Sequence, residues 1–383
     1  MRVAHVITRM IVGGAQENTL WNCRDLIDVF GDQVTLFTGP SLGPEGSLLP
    51  EVKRTGVPYE IIPAMRRSVH PFRDGISLYQ LLQRLRKFQP DIIHTHSAKA
   101  GILGRWAASR LHIPCVHTVH GNPFFPGQGR AGDWCIAWAE RWAARRCQKI
   151  ICVADTMTDV LVSHHIAPRE KCLTIYSGMD VEPFLHSATH RQAMRQELGY
   201  EDQHLVVGKI ARLFHHKGHD DLISVAPNII AAQPNVRFLL VGDGTLRAHL
   251  ESRIRLAGLE RYFQFVGLVE PQRIPAYLSA MDVLVHLSLR EGLARTLPQA
   301  LLSGKPVVSY DVDGAAEVVK PKTTGFLVPP HDLNKLELAL MMTLRYEDLR
   351  NQLGQAGRVL CEPMFRHEEM TLQIREVYQS LLE

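Results

Sequence analysis

The chain has 383 residues, of which 45% are hydrophobic and 21% charged, a globular composition too long for one hydrophobic core, so two domains are expected. No apolar run approaches ~18 residues, which argues against a membrane-spanning helix. The seven cysteines show no CxxC pair, so they read as buried reduced thiols and not as a disulfide frame or zinc site. Net charge is +4 but unevenly spread: residues 1–180 carry 21 Lys/Arg against 15 Asp/Glu, and residues 181–383 carry 22 against 24. A basic first half suits an anionic surface such as a membrane leaflet, lipid phosphate or nucleic acid, or is simply a solvated face.

The first residues, Met1-Arg2-Val3-Ala4-His5-Val6-Ile7-Thr8, read as a strand and not as a signal peptide, which points to a cytoplasmic protein. Gly13-Gly14-Ala15-Gln16 then opens a helix over Ala15–Val29. Glycines there let a diphosphate approach the backbone N–H groups, although a tight turn with no ligand fits equally well. Strands follow at Val34–Phe37, Asp91–His94, Val116–Val119 and Ile150–Val153, with a weaker one near Leu173. Between them lie helices over Ile76–Phe88, Ala98–Leu111 and Asp133–Arg146. That alternation means a doubly wound parallel sheet. Gly178 and Pro183 punctuate the segment Ser177–Phe184, a candidate domain boundary.

The second half repeats the pattern, with strands at Leu205–Ile210, Arg237–Val241, Phe263–Phe265, Val283–Leu287, Pro306–Ser309 and Phe326–Val328. Arg212 and Lys217 follow the first of these, and two fixed cations at a strand's carboxyl end can neutralise a leaving diphosphate. Gly242-Asp243-Gly244 follows the second strand but lacks the third glycine of a dinucleotide fingerprint. After Val283–Leu287 comes Arg290-Glu291-Gly292-Leu293-Ala294-Arg295-Thr296-Leu297-Pro298-Gln299-Ala300. Here an acid and a glycine sit where a strand gives way to a helix, beside amides that favour an anion. An exposed acid in an ordinary turn is the bland alternative. The last stretch, Arg366–Leu382, is amphipathic and helical.

This last site segment resembles the E-G-x(6)-E signature of retaining glycosyltransferases of family 4, with Glu291 as the first acid and Gln299 in place of the second. Glutamine can hydrogen-bond a ribose diol but offers no charge-assisted bond, so the departure bears on nucleotide affinity. Arg212, Lys217 and Gly218 match the family's R-x(4)-K-G in full, and Gly13-Gly14 its glycine pair. Ser177–Phe184 resembles its interdomain segment.

The resemblance implies a GT-B fold, two Rossmann-like doubly wound parallel-sheet domains facing a central cleft. The expected domains are residues 1–182, with a C-terminal helix over 363–383 packing back on them, and residues 183–362 for the nucleotide sugar. It implies an enzyme moving a hexosyl or N-acetylhexosaminyl unit from a nucleotide-diphosphate sugar, with retention, to a glycan or a polyprenyl- or lipid-linked acceptor in cell-surface polysaccharide or glycolipid synthesis. No metal, no other cofactor and no nucleic acid is expected.

Glu291, His120, Arg212 and Lys217 are the implied catalytic set. Gly13, Gly14, Gly242, Val266, Gly267, Gly292, Leu293, Ala294, Arg295, Thr296 and Gln299 join Arg212, Lys217 and Glu291 in binding the donor. His120 would lie beside the donor sugar, and His117, on the same strand, is read as sharing its face. On the acceptor side stand His96, Lys99, His120, Phe124 and Arg130. There Ser97 is read as a helix N-cap, and the loop Phe124-Phe125-Pro126 borders the acceptor or is merely packed. Alternating His94 and His96 could bind zinc, but no Cys or carboxylate accompanies them. The rival readings are a non-catalytic nucleotide-sugar-binding protein, motivated by Gln299, a GT-B sugar-nucleotide epimerase and a nicotinamide-dependent enzyme.

Overall fold

The computed structural model describes residues 1–42, 46–124 and 129–383. Two compact units emerge, Met1–Met179 with Phe365–Glu383, and Asp180–Met364.

The first unit is built on seven parallel strands: β1 (Arg2–Arg9), β2 (Gln33–Gly39), β3 (Tyr59–Ile61), β4 (Ile92–His96), β5 (Cys115–Val119), β6 (Lys149–Cys152) and β7 (Cys172–Thr174). Their order is β3-β2-β1-β4-β5-β6-β7. Helices on both faces bury the strands, so they appear in sequence as continuous apolar runs. β3 escaped the sequence reading because it is a three-residue edge strand with Glu60 at its centre. The helix expected from Ile76 begins at Pro71, where His70 accepts from Arg73 N–H and Asp74 accepts from His70 N–H at 3.0 Å. Proline at the first helical position and a side-chain cap set that start.

The C-terminal helix, His367–Leu382, belongs to this unit and places Met370, Ile374, Val377 and Tyr378 in a core with Val3, Ile7 and Leu26. Polar contacts fix its register against the first helix, Gly14–Asp28: Asp25 accepts from Thr371 at 2.9 Å and meets His367 Nδ1 at 2.8 Å. Cysteines 23, 115, 147, 152 and 172 are buried, whereas Cys135, expected to be buried, is exposed on the helix Arg130–Ala144 beside Trp134 and Trp138.

The second unit has six parallel strands: β8 (Leu205–Ile210), β9 (Val236–Val241), β10 (Phe263–Gly267), β11 (Val283–His286), β12 (Val307–Tyr310) and β13 (Gly325–Val328), in the order β10-β9-β8-β11-β12-β13. Val207, Phe238, Leu240, Val283, Val285 and Val308 form the centre of its core. Both sheets reverse their winding at one point, between β1 and β4 and between β8 and β11. Such a point leaves a crevice at the carboxyl ends of the strands, where ligands bind in open α/β sheets. No helix among the described residues is long and apolar enough to cross a membrane.

Candidate active site

At the switch point of the second unit, the loop after β8 meets the loop after β11. Gly218 closes the first loop with φ 65°, and a Cβ there would lie 2.3 Å from the Leu287 carbonyl, so only glycine lets the two strand ends approach this closely. Leu289 N–H donates to His216 O at 2.9 Å across the same gap. The result is an ion pair between residues 74 apart in sequence: Lys217 Nζ donates to Glu291 Oε1. Ser288 Oγ donates to the same carboxylate oxygen at 2.7 Å, while Glu291 N–H donates to Asp313 Oδ2 at 2.7 Å. Gly314 N–H reaches Gly292 O at 2.9 Å, so the loops after β11 and β12 brace one another.

The electrostatics follow from burial and this pair. Burial pushes the Glu291 carboxyl up, but the Lys217 ammonium and the hydrogen bonds outweigh it, and the group ends below its ordinary value. Behind it lies His286, its Nε2 3.7 Å from Glu291 Oε1, which burial holds neutral by pushing it down to about 3. Lys209, within β8 and 1% exposed, is pushed down to about 7 by burial and by Lys217. Sequence reasoning named neither His286 nor Lys209, nor Ser288 and Asp313; a lysine inside an otherwise apolar strand is the one signal it could have used.

Arg212 is exposed at the same strand end, its guanidinium 5.1 Å from the Phe214 ring centroid. Gly242 N–H donates to Gly267 O at 2.8 Å, and Gly242 runs so close to the β8 loop that a Cβ would lie 2.1 Å from Ala211 O. The turn after β9, the end of β10 with half-buried Val266, and the cationic loop after β8 are therefore contiguous. Gly292 and Ala294 are buried, while Leu293, Arg295, Thr296 and Gln299 are half-buried. Thr296 starts the helix Thr296–Leu302, which also carries Gln299, and its hydroxyl lies 3.3 Å from His286 Nδ1.

In the first unit Gly13 and Gly14 open the first helix directly after β1, with Gly13 O accepting from Glu17 N–H at 3.0 Å. After β4 the structure corrects several expectations. Ser97 sits at the N-cap of Ala98–Leu111 with φ 62° but makes no side-chain cap bond. Its hydroxyl pairs with Thr8 Oγ1 at 2.7 Å, and Thr8 Oγ1 accepts from Ala100 N–H in its place. Lys99 is engaged by Asp74 at 2.6 Å. His117 does not share a face with His120, because an odd spacing of three along an extended chain puts them on opposite sides. Its ring turns to Thr95, 2.9 Å away.

His96, only 1% exposed, meets His120, with Nδ1 3.0 Å from His120 Nε2. Phe124 is buried and stacked on His164 with centroids 4.1 Å apart, so its ring is not offered to a ligand. Phe125, Pro126 and the side chain of Arg130 lie outside the described residues.

His5, His94 and His96 place ligand atoms within 4.8 Å of one another, a grouping that could hold a metal ion. Every ring nitrogen of the three except His5 Nε2 is already hydrogen-bonded: to one another, to Tyr378, to Thr118 or to His120. With no carboxylate among the described residues grouped with these rings to offset a divalent charge, a hydrogen-bonded network is the better fit.

Comparison with known proteins covers both units. Residues 12–183 match the family model "Glycosyltransferase Family 4", and residues 190–360 match "Glycosyl transferases group 1". An Escherichia coli UDP-Gal:alpha-D-GlcNAc-diphosphoundecaprenol alpha-1,3-galactosyltransferase is 30% identical over 284 residues, 73% of each chain. A GDP-mannose-dependent alpha-mannosyltransferase of Mycobacterium tuberculosis is 28% identical over 77% of each. Among solved structures, HepE of Anabaena in complex with UDP superposes with a TM-score of 0.85 at 22% identity, covering 99% of this chain and 100% of that one. Sucrose-phosphate synthase of Thermosynechococcus elongatus gives 0.79 at 20% identity, with 100% and 99% covered. Sequence over both units and backbone over nearly the whole length agree: the chain belongs to glycosyltransferase family 4 and is a glycosyltransferase of the GT-B fold.

Proposed function

We propose that this enzyme transfers a hexosyl or N-acetylhexosaminyl unit from a nucleotide-diphosphate sugar to a glycan or lipid-linked acceptor, with retention of configuration. The observation that carries this reading is the Lys217–Glu291 pair at the switch point of the second unit, with Arg212 on the same loop as the lysine. Arg212 and Lys217 supply two positive charges where the diphosphate leaves, and Glu291 presents carboxylate oxygens to sugar hydroxyls. The glycines at 242 and 267, together with the segment 292–296, line the donor's path, and Gln299 faces the ribose.

In the transfer step the bond from the anomeric carbon to the diphosphate oxygen breaks, and its electrons stay with the leaving group. The acceptor hydroxyl oxygen attacks from the same side, and its proton passes to the departing phosphate oxygen. The cations stabilise charge that grows only as that bond lengthens, which is where binding energy accelerates the reaction.

A lipid-linked acceptor is supported by the E. coli relative named above, whose acceptor is alpha-D-GlcNAc-diphosphoundecaprenol. It is also supported by an exposed apolar stripe, Phe72, Ile76 and Tyr79, on the helix Pro71–Phe88, which also carries Arg73, Arg84 and Arg86. Apolar side chains beside arginines suit peripheral contact with an anionic membrane surface.

The test is a panel of UDP-, GDP- and ADP-sugars, each scored for thermal stabilisation and for nucleotide-diphosphate release with polyprenyl-linked and glycan acceptors. One donor should stabilise the fold and be consumed only when acceptor is present. Consumption without acceptor, or stabilisation with no turnover under any acceptor, would overturn the proposal.

A further inference from the structure

Near the carboxyl end of β8 lies a lysine that the transfer step leaves unused. Lys209 is paired in register with Leu240 of β9, and Val207, two residues earlier on the same side of the strand, belongs with Leu240 to the apolar core. Lys209 is 1% exposed, and its Nζ has no hydrogen-bond partner among the described residues. The groups that set its charge come from the elements packed around it. Lys217, on the loop after β8, opposes a charge on Lys209, whereas Asp221 of the helix His219–Ala232 and Glu291 after β11 favour one. His219, 2% exposed at the start of that helix, and His286 of β11 complete the set. Both carboxylates are engaged elsewhere: Asp221 accepts from Tyr310 Oη at 2.6 Å and meets His331 Nδ1 at 3.0 Å, and Glu291 accepts from Lys217 and Ser288.

An ammonium withdrawn from water with no acceptor to bond is far costlier than a neutral amine. Burial first, and the charge of Lys217 second, therefore push Lys209 down to about 7, so that above neutral pH it is mostly the amine. His219 and His286 are pushed down by burial to about 2 and about 3, so neither competes for a proton in that range. Of these groups, Lys209 is the one poised to change its charge when the charge beside it changes.

We propose that Lys209 is a buried proton-binding group coupled to the donor: a diphosphate settling against Lys217 draws one proton from solvent onto the Lys209 Nζ lone pair. This rests on the transfer reading above, which places the diphosphate at Arg212 and Lys217. The diphosphate's negative charge offsets the charge on Lys217 that opposes Lys209, and the balance at Nζ tips toward the ammonium. Lys209 touches neither donor nor acceptor. It acts through charge alone, as a third cation beneath Arg212 and Lys217 when charge grows on the leaving group.

Two measurements on the wild type and Lys209→Met test this, and methionine suits the apolar surroundings well enough for the variant to fold. The first follows unfolding without ligand from about pH 9 to about pH 8. The folded-state value of Lys209 lies below its value in the unfolded chain, so the unfolded wild type takes up a proton that the folded one refuses, and stability is lost as pH falls. Relative to Lys209→Met, the wild-type unfolding constant should rise roughly tenfold over that interval. The second titrates UDP, GDP and ADP by calorimetry at about pH 8 in Tris and in HEPES, whose ionisation enthalpies differ. The wild type should take up about 0.4 proton or more per nucleotide bound, and Lys209→Met close to none. Equal uptake in the two proteins, or unfolding profiles that run parallel, overturns the proposal. Nucleotide binding with no uptake defeats the coupling and leaves the transfer reading standing. A wild type that binds none of the three nucleotides defeats the transfer reading and the coupling together, while the unfolding profile still reports the buried amine.

Discussion

Replacing Lys217 by methionine removes a charge while keeping most of the side chain's bulk, and the structure sets two separate costs. The first falls on stability. Breaking a fully buried pair costs about 3–5 kcal/mol, and an exposed pair is worth about 0–1 kcal/mol. Lys217 and Glu291 side chains are 12% and 26% exposed, and Glu291 keeps its bond from Ser288, so a loss of about 1–2 kcal/mol is expected. The second cost falls on turnover. A preorganised cation at the departing diphosphate is worth about 2–4 kcal/mol, which is roughly 30- to 1000-fold in kcat.

Thermal unfolding and acceptor-dependent nucleotide release read the two costs independently. The double variant Lys217→Met with Glu291→Gln separates them further, since it leaves no unpaired carboxylate: stability should recover while turnover stays low. A Lys217→Met enzyme with kcat within about threefold of wild type would refute the reasoning. So would a double variant whose turnover recovers together with stability, since it lacks both the cation and the carboxylate assigned to transfer.

Acid should destabilise the fold in a defined window. The folded-state values of His5 and His286 are depressed from 6.5 to about 3, so as pH falls through 6.5 the unfolded chain takes up protons that the folded chain refuses. Their contribution is fully present above the unfolded value; at pH 5.5 the two together should have lost roughly 2–3 kcal/mol, and a melting temperature flat from pH 7.5 to 5.5 would contradict this. Gly218→Ala must place a Cβ 2.3 Å from a carbonyl at φ 65°, so it should cost about 2 kcal/mol or more and lower kcat by displacing Lys217; differential scanning calorimetry with the release assay checks both. Gln299→Glu should tighten binding of the nucleotide by about 0.5–1.5 kcal/mol through a charge-assisted bond to ribose, read by calorimetric titration; unchanged affinity would mean that the side chain does not face the nucleotide.

The strands of both units could be read almost to the residue because a parallel strand buried on two faces writes itself as an apolar run, as at Leu205–Ile210. Tyr59–Ile61 could not, being short, polar and at an edge. Motif spacing nominated Lys217 and Glu291 separately. That they touch is a consequence of β8 and β11 lying side by side, which no local pattern encodes. The histidine network was hidden for the same reason: His5 resembles any core residue of an apolar strand until the register pairs it with His94. Ser97 is the N-cap residue of Ala98–Leu111 as read, but the hydroxyl that accepts from the helix's first turn is that of Thr8 on β1, which no local pattern encodes.

The most direct test of the central claim is the anomeric configuration of the first product. The donor that passes the release assay should be incubated with its acceptor, and proton NMR taken before the product can be processed further. An α-linked donor sugar should appear α-linked in the product, and an equivalent Lys217→Met reaction should yield the same anomer more slowly. A β-linked product from an α donor would place attack on the opposite face and contradict the account.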